Sequence, residues 1–401
     1  MKSKYFICVL LLTNFIIAQN QYINQVLLLN EGYVDFYTDE IIEPVTIGVY
    51  DYQSNLYNTV IEIDSAKFAS DLIINEEYFF VAADNKLLKY HLDTYELIAE
   101  QEVPGIRKIA VYNEYLFISK GDYDLVTFGP IIFDSYLEVY SIDDLSFVSD
   151  FSSENMEGPQ WSTESMIVKD NQLYIAINNA YEWGNYKGLV GIVNLNSLEY
   201  VQELDLGEDG KNPINMLLKD DKIYTINNKN WDGSSVSIIS TDFNTETFSL
   251  SNVSSGCGVS MIRDENLYYQ ISTETQMYKF NLLNNQEDGV VDNLIDNYYA
   301  ISQDPITGYI FASVADFTSN NDIIIYDENN NNINSFTAGV ATGKIVFDVR
   351  SETTSVFEIY PNTSEIIKTV DILGRDTKKG NLLFEIYKNG DVNKKYILNN
   401  Y

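Results

Sequence analysis

The sequence predicts an all-β protein, a seven-bladed β-propeller closed by its N- and C-terminal strands and followed by a small C-terminal β-module. Three observations carry the prediction. One strand pattern, a small polar pair followed by an apolar-aromatic pair, recurs six times. A second strand pattern recurs in step with it about seven times. The two ends of the array each supply half of an incomplete unit. The fullest unit is residues 171–206, with strands around Leu173–Ala176, over Leu189–Asn196 and over Glu199–Leu206, and a tight turn at Asn196-Ser197. Its β-branched and aromatic residues are bounded by Asn, Ser and Gly, the signature of strand and turn. Alone it cannot bury its faces, so copies of it must stack.

The aromatic anchors of the first pattern are Phe80, Phe117, Tyr174, Tyr224, Tyr268 and Phe311, spaced by about 37 to about 57 residues, the range of a four-stranded blade. The second pattern ends at Asp51, Asp93, Asp143, Asn196, Asp242, Leu282 and Asn329. A further short apolar strand precedes each unit, as at Lys108–Val111, Ser165–Val168 and Met216–Leu218, which makes four strands per blade. Gln25–Asn30 reads as a second strand without a first, and Gly343–Phe347 as a first without a second. Pairing them closes the ring and removes the exposed sheet edges.

In chain order, residues 1–18 have a basic start at Lys2 and Lys4 and an apolar run too short to span a bilayer comfortably, which predicts a secretory signal peptide. Residues 19–348 are the propeller and 349–401 a connector and β-module with a hairpin turn at Asn389-Gly390. With 401 residues, 45% hydrophobic and 13% aromatic, the chain can bury a large core, and a repeat array suits one large domain. A net charge of −34 excludes nucleic acid as a partner and predicts a solvated acidic surface. Cys8 lies in the leader, leaving Cys257 alone in the mature chain with no disulfide partner.

The loops joining second to third strands, and those joining blades, emerge on one face, termed upper here. The former are long at 31–44, 120–134, 178–187, 227–233 and 315–320. They gather aromatic and amide side chains, and the predicted ligand-binding residues are Tyr33, Phe36, Tyr37, Tyr123, Trp161, Asn179, Tyr181, Trp183, Tyr186, Asn228, Trp231 and Phe317. Aromatic faces with a few convergent amides suit an organic ligand. Each ring taken singly reads more readily as packing on a blade rim, and it is the set on one face that reads as binding. No catalytic residue, metal site or required cofactor is predicted. His91 is the only histidine and falls in a lower-face turn, which removes Ser-His-Asp catalysis and histidine-bound metal. Cys257 reads as a small buried residue, and the upper-loop carboxylates Asp122, Asp124, Glu182 and Asp232 as chance neighbours in an acidic chain.

Two resemblances extend this reading. Asp371–Arg375, Phe384–Tyr387 and Lys394–Leu398, with Tyr360-Pro361-Asn362 before them, resemble the C-terminal sorting domain of type IX secretion cargo. That resemblance implies export to the outer surface of a Gram-negative cell. Leu28–Gly32, Ala300–Phe311, Ser319–Asp327 and Phe336–Gly339 resemble the YVTN/YncE-like propellers. More narrowly, they look like surface propellers that capture cobalamin beside an outer-membrane transporter. The resemblance implies a bound corrinoid or similar organic cofactor and a TonB-dependent transporter as a partner. The other readings are a protein- or glycan-binding adhesion module and a sugar lactonase.

Overall fold

The computed structural model describes residues 20–35, 37–229, 232–251, 259–271, 274–351, 366–377, 382–388 and 392–396. The predicted signal peptide, Phe36, Asn230, Trp231, Cys257 and most of the 349–365 connector lie outside them. Asn20–Ser351 form one compact unit. Within it the described residues build seven four-stranded antiparallel sheets, so the chain is an all-β propeller. The unit at 171–206 is the fourth blade, with strands Thr163–Lys169, Gln172–Ile177, Leu189–Asn194 and Glu199–Asp205 in that order.

Closure is as the sequence predicts. The first blade runs Thr342–Ser351, Gln21–Asn30, Val45–Asp51, Leu56–Ile63 from inside outward. Its inner strand comes from the far end of the unit, with Val26 opposite Phe347, Leu27 opposite Val346 and Leu28 opposite Ile345. Buried Asn30 fastens the seam: its amide nitrogen donates to the Thr46 and Tyr57 hydroxyls at 3.0 and 2.9 Å, and its oxygen accepts from the Thr342 hydroxyl.

The core lies between blades. Each aromatic anchor packs its strand's apolar face against the next sheet, as where Phe117, Leu137, Val139 and Phe151 of the third blade meet Leu173, Ile175 and Val193 of the fourth. Seven such layers replace a single hydrophobic centre, which lets a repeat array this long remain one unit.

The lower turns share one device. The last residue of the third strand turns its side chain back to accept backbone N–H groups two and three residues on: Asp51 from Gln53 and Ser54, Asn194 from Asn196 and Ser197, Asn281 from Leu283 and Asn284. His91 holds this position in the second blade, and its Nδ1 accepts from Asp93 and Thr94 at 3.2 and 3.3 Å. The histidine is therefore a turn residue, a substitute for Asp or Asn.

One loop carries structure that the sequence reading leaves out. Residues 31–44 contain a two-stranded hairpin, Tyr33–Asp35 with Glu40–Glu43, whose turn is held by Asp35 accepting from the N–H groups of Tyr37 and Thr38. The strands are too short for alternation to register. Beyond the propeller, Ile366–Val370, Leu382–Tyr387 and Val392–Tyr396 form a three-stranded antiparallel sheet. No helix among the described residues is long and apolar enough to cross a membrane.

Candidate functional site at the upper mouth of the channel

The innermost strands line the central channel, and they enter it with a shared irregularity. Register slips at the upper start of the inner strand in blades one to five and seven. The slipped residues are Gly343, Ser70, Arg107-Lys108, Glu164-Ser165, Ile214 and Tyr299. A bulge takes residues out of the ladder and re-aims their side chains. Here it sets a ring of side chains at the mouth of the channel.

Three of these residues are charged, and Asp71 and Lys344 stand next to slipped positions. Arg107 forms a two-pronged pair with Glu164 of the next blade, Nε to Oε2 at 3.2 Å and Nη2 to Oε1 at 3.3 Å. Lys108 Nζ donates to the Ser70 carbonyl at 2.6 Å and lies 3.8 Å from Glu164. Asp71 accepts from Lys344 at 2.8 Å and from the Ile109 N–H at 3.0 Å. Ser165 repeats the backbone contact one pair of blades on, accepting from the Met216 N–H at 3.2 Å. Glu31, at the base of the 31–44 loop, reaches over Gly343: a Cβ there would stand 2.2 Å from Glu31 Oε1, so a larger residue would push the carboxyl aside. The Tyr299 hydroxyl donates to Glu31 Oε2 at 2.7 Å.

These neighbours shift the titrations in opposite directions. Burial raises Glu31 to about 7, against the smaller opposing pulls of Tyr299, Lys108 and Arg107. Burial also opposes ionisation of Asp71, but Lys344, Lys108 and the Ile109 N–H outweigh it and hold the carboxyl below its ordinary range. Lys108 is lowered, chiefly by burial, despite Asp71 and Glu164. A carboxyl poised near neutrality among cations in a channel mouth has the electrostatic character of a functional site.

The aromatic residues read from sequence divide around this ring. Tyr181 joins it: the Arg107 guanidinium lies 5.6 Å from its ring centroid, Tyr123 stacks on it at 6.1 Å, and it closes over Gly121. Phe317 reaches the opposite side, edge-on to Tyr299 at 4.7 Å. Trp161 lies under Lys187, whose Nζ is 4.6 Å from the ring. Trp183 is 80% exposed with its edge against Tyr186, which is itself buried. Tyr33 is half-buried and Tyr37 fully exposed. Asn179 and Asn228 are buried. The Asn179 amide donates to Glu182 and to the Asn185 carbonyl, so it shapes the 178–187 loop.

Glu31, Asp71, Arg107, Lys108, Glu164, Tyr299 and Lys344 are functional candidates that sequence reasoning misses. All but Glu31, which follows the Gln21–Asn30 strand, stand near the start of an inner strand, in blades far apart in sequence. The one signal that could have found them is a charged or polar pair opening several inner strands: Ser70-Asp71, Arg107-Lys108 and Glu164-Ser165.

Among the described residues, no group of three or more His, Cys, Asp or Glu could hold a metal ion. A separate cavity of about 470 Å³ opens between the first and seventh blades toward the lower turns, lined by Tyr50, Tyr52, Tyr309 and Asn334 among others. It has no convergent charges.

No protein-family model matches the chain, and no curated protein matches it. Among solved structures, it is similar to a protein of Bacteroides fragilis provisionally described as a 6-phosphogluconolactonase, with a TM-score of 0.57 and 12% identity over 81% of this chain and 98% of that one. At that identity the likeness is one of fold, and it places the chain among the β-propellers.

Proposed function

We propose that the chain is an exported, surface-held binding protein that takes an organic ligand on its upper face. The observation that supports this most is the convergence at one mouth of Arg107, Lys108, Lys344, Glu31 and Glu164 with the rings of Tyr181 and Tyr299. Polar groups placed at the centre of a concave, partly aromatic surface orient a small molecule. The ligand to test first is a corrinoid, on the sequence resemblance. Its flat macrocycle would lie against exposed Trp183, and its polar fringe would meet the charged mouth. A TonB-dependent transporter is the corresponding protein partner.

Titration with cyanocobalamin followed by its visible absorbance tests the ligand. Replacing an aromatic hot spot costs about 2 kcal/mol or more, roughly thirtyfold in affinity. Trp183→Ala is therefore expected to weaken binding at least tenfold with little change in melting temperature, because the ring is exposed. Parent-like binding by this variant moves the ligand off the loop.

Export rests on residues 1–18 and on the tail. Deleting 370–401 is expected to leave a folded propeller inside the periplasm, read by protease accessibility on intact cells. Surface display of the truncated chain contradicts the sorting role.

Hydrolysis is a second reading, favoured by one observation: Glu31, raised to about 7, could serve as a general base beside cations. Turnover of a sugar lactone, abolished in Glu31→Gln, would establish it in place of simple binding.

A further inference from the structure

We infer that the channel mouth is a subsite for an anionic group of the ligand, a carboxylate or a phosphate; this rests on the reading of the upper face as the ligand face. The chain carries 25 Lys and Arg against 59 Asp and Glu, so a cluster rich in cations is set against its overall charge. Arg107, Lys108 and Lys344 converge there from the inner strands of the third and first blades.

The decisive feature is which charges face the solvent. Two of the three carboxyls are covered, the Asp71 side chain 3% exposed and that of Glu164 10%, while Glu31 is half-buried. Asp71 spends its oxygens on Lys344 and on the N–H groups of Leu72 and Ile109, and Glu164 spends both of its oxygens on Arg107. The cations are the open partners, with Lys344 40% exposed, Lys108 29% and Arg107 22%. Covered anions with open cations present net positive charge to the channel.

The balance of charge agrees. Below neutrality Glu31 holds its proton, Tyr181 is neutral, and three cations stand against Asp71 and Glu164. The residual positive charge sits on donors that still have N–H groups to give. Arg107 Nη1 takes no partner among the described residues, and Lys344 Nζ makes one contact there, to Asp71. Ammonium and guanidinium groups arranged this way suit carboxylate and phosphate oxygens.

The test uses the full chain at pH 6 and low ionic strength, titrated calorimetrically with inorganic phosphate and separately with acetate. Crystals soaked in selenate complete it. Saturable binding of at least one anion is expected, weakened tenfold or more in Lys344→Gln, and an anomalous selenium peak within hydrogen-bond distance of Arg107, Lys108 or Lys344. Which of the two anions binds more tightly separates phosphate from carboxylate recognition. A Lys187→Gln control, on the outer loop, is expected to bind like the parent. If Lys344→Gln lowers stability, Arg107→Lys, which keeps the charge but loses the fork, is expected to weaken phosphate binding as well. No binding of either anion, or selenate only on outer lysines as an adventitious ion only, overturns the inference. A neutral ligand found on the upper face overturns it too, while leaving the binding function intact. Anion binding with no organic ligand on this face sinks the broader reading instead.

Discussion

Deleting residues 342–401 will yield an insoluble chain with no cooperative melting transition, whereas deleting 352–401 will leave a soluble, folded propeller. The two truncations differ by one strand. Thr342–Ser351 is the inner strand of the first blade and covers the edge of Gln21–Asn30, in which Val26, Leu27, Leu28 and Leu29 are buried. It also supplies Ile345 to the cluster around Leu28, Phe311 and Ile323, and Phe347 packs edge-on to Phe311 at 5.3 Å. Each buried apolar side chain is worth roughly 1.5–3 kcal/mol, against a total stability of about 5–15 kcal/mol for a domain. Losing two or three of them therefore approaches the whole of it. The exposed edge then invites intermolecular pairing. Solubility and calorimetric melting check this, and cooperative melting of the shorter chain shows that the ring does not depend on this strand.

Asp71→Ala is expected to cost about 1–3 kcal/mol, because it leaves the buried Ile109 N–H without its acceptor, while Lys344, 40% exposed, turns to water. The substitution frees Lys344 and the Ile109 N–H together. The pH dependence has a definite sign. Asp71 is held below its ordinary range in the fold, so its contribution is present above the unfolded value and is lost as pH falls through the folded one. Glu31 acts in the opposite sense: raised from 4.5 to about 7, it contributes fully below about 4.5 and loses that contribution as pH rises through about 7. Melting temperatures between pH 3 and 9 should therefore show Asp71→Ala converging on the parent in acid and falling furthest below it near neutrality. Glu31→Gln should gain on the parent above pH 7. An Asp71→Ala variant as stable as the parent at pH 7 removes the ion pair from the account.

The fold was legible because a propeller repeats its signal. The Leu189–Asn194 strand and its counterparts carry the same alternation in blade after blade, and the lone Gln25–Asn30 and Gly343–Phe347 strands announce the closure between them. His91 was legible for the same reason, since the equivalent positions are Asp, Asn or Ser in the other blades. The mouth was not, because a bulge leaves no periodic trace. Arg107 and Glu164 are neighbours only once two inner strands stand side by side, and Glu31 lies over Gly343 only once the ring closes. The aromatic reading treated Tyr186 and Asn179 as open to ligand. Both are buried, since long loops need a core of their own and polar groups of their own to satisfy.

The central claim is that the upper mouth holds a small molecule. Its most direct test is hydrogen exchange on the protein purified from its own source, compared before and after exhaustive dialysis, with native mass spectrometry reporting the bound mass. The account predicts a bound organic molecule and slower exchange, in the loaded protein, at residues 69–71, 106–109, 163–165 and 342–344. A ligand that instead protects only the lower turns, such as 91–95, or the 470 Å³ cavity between the first and seventh blades, would contradict it.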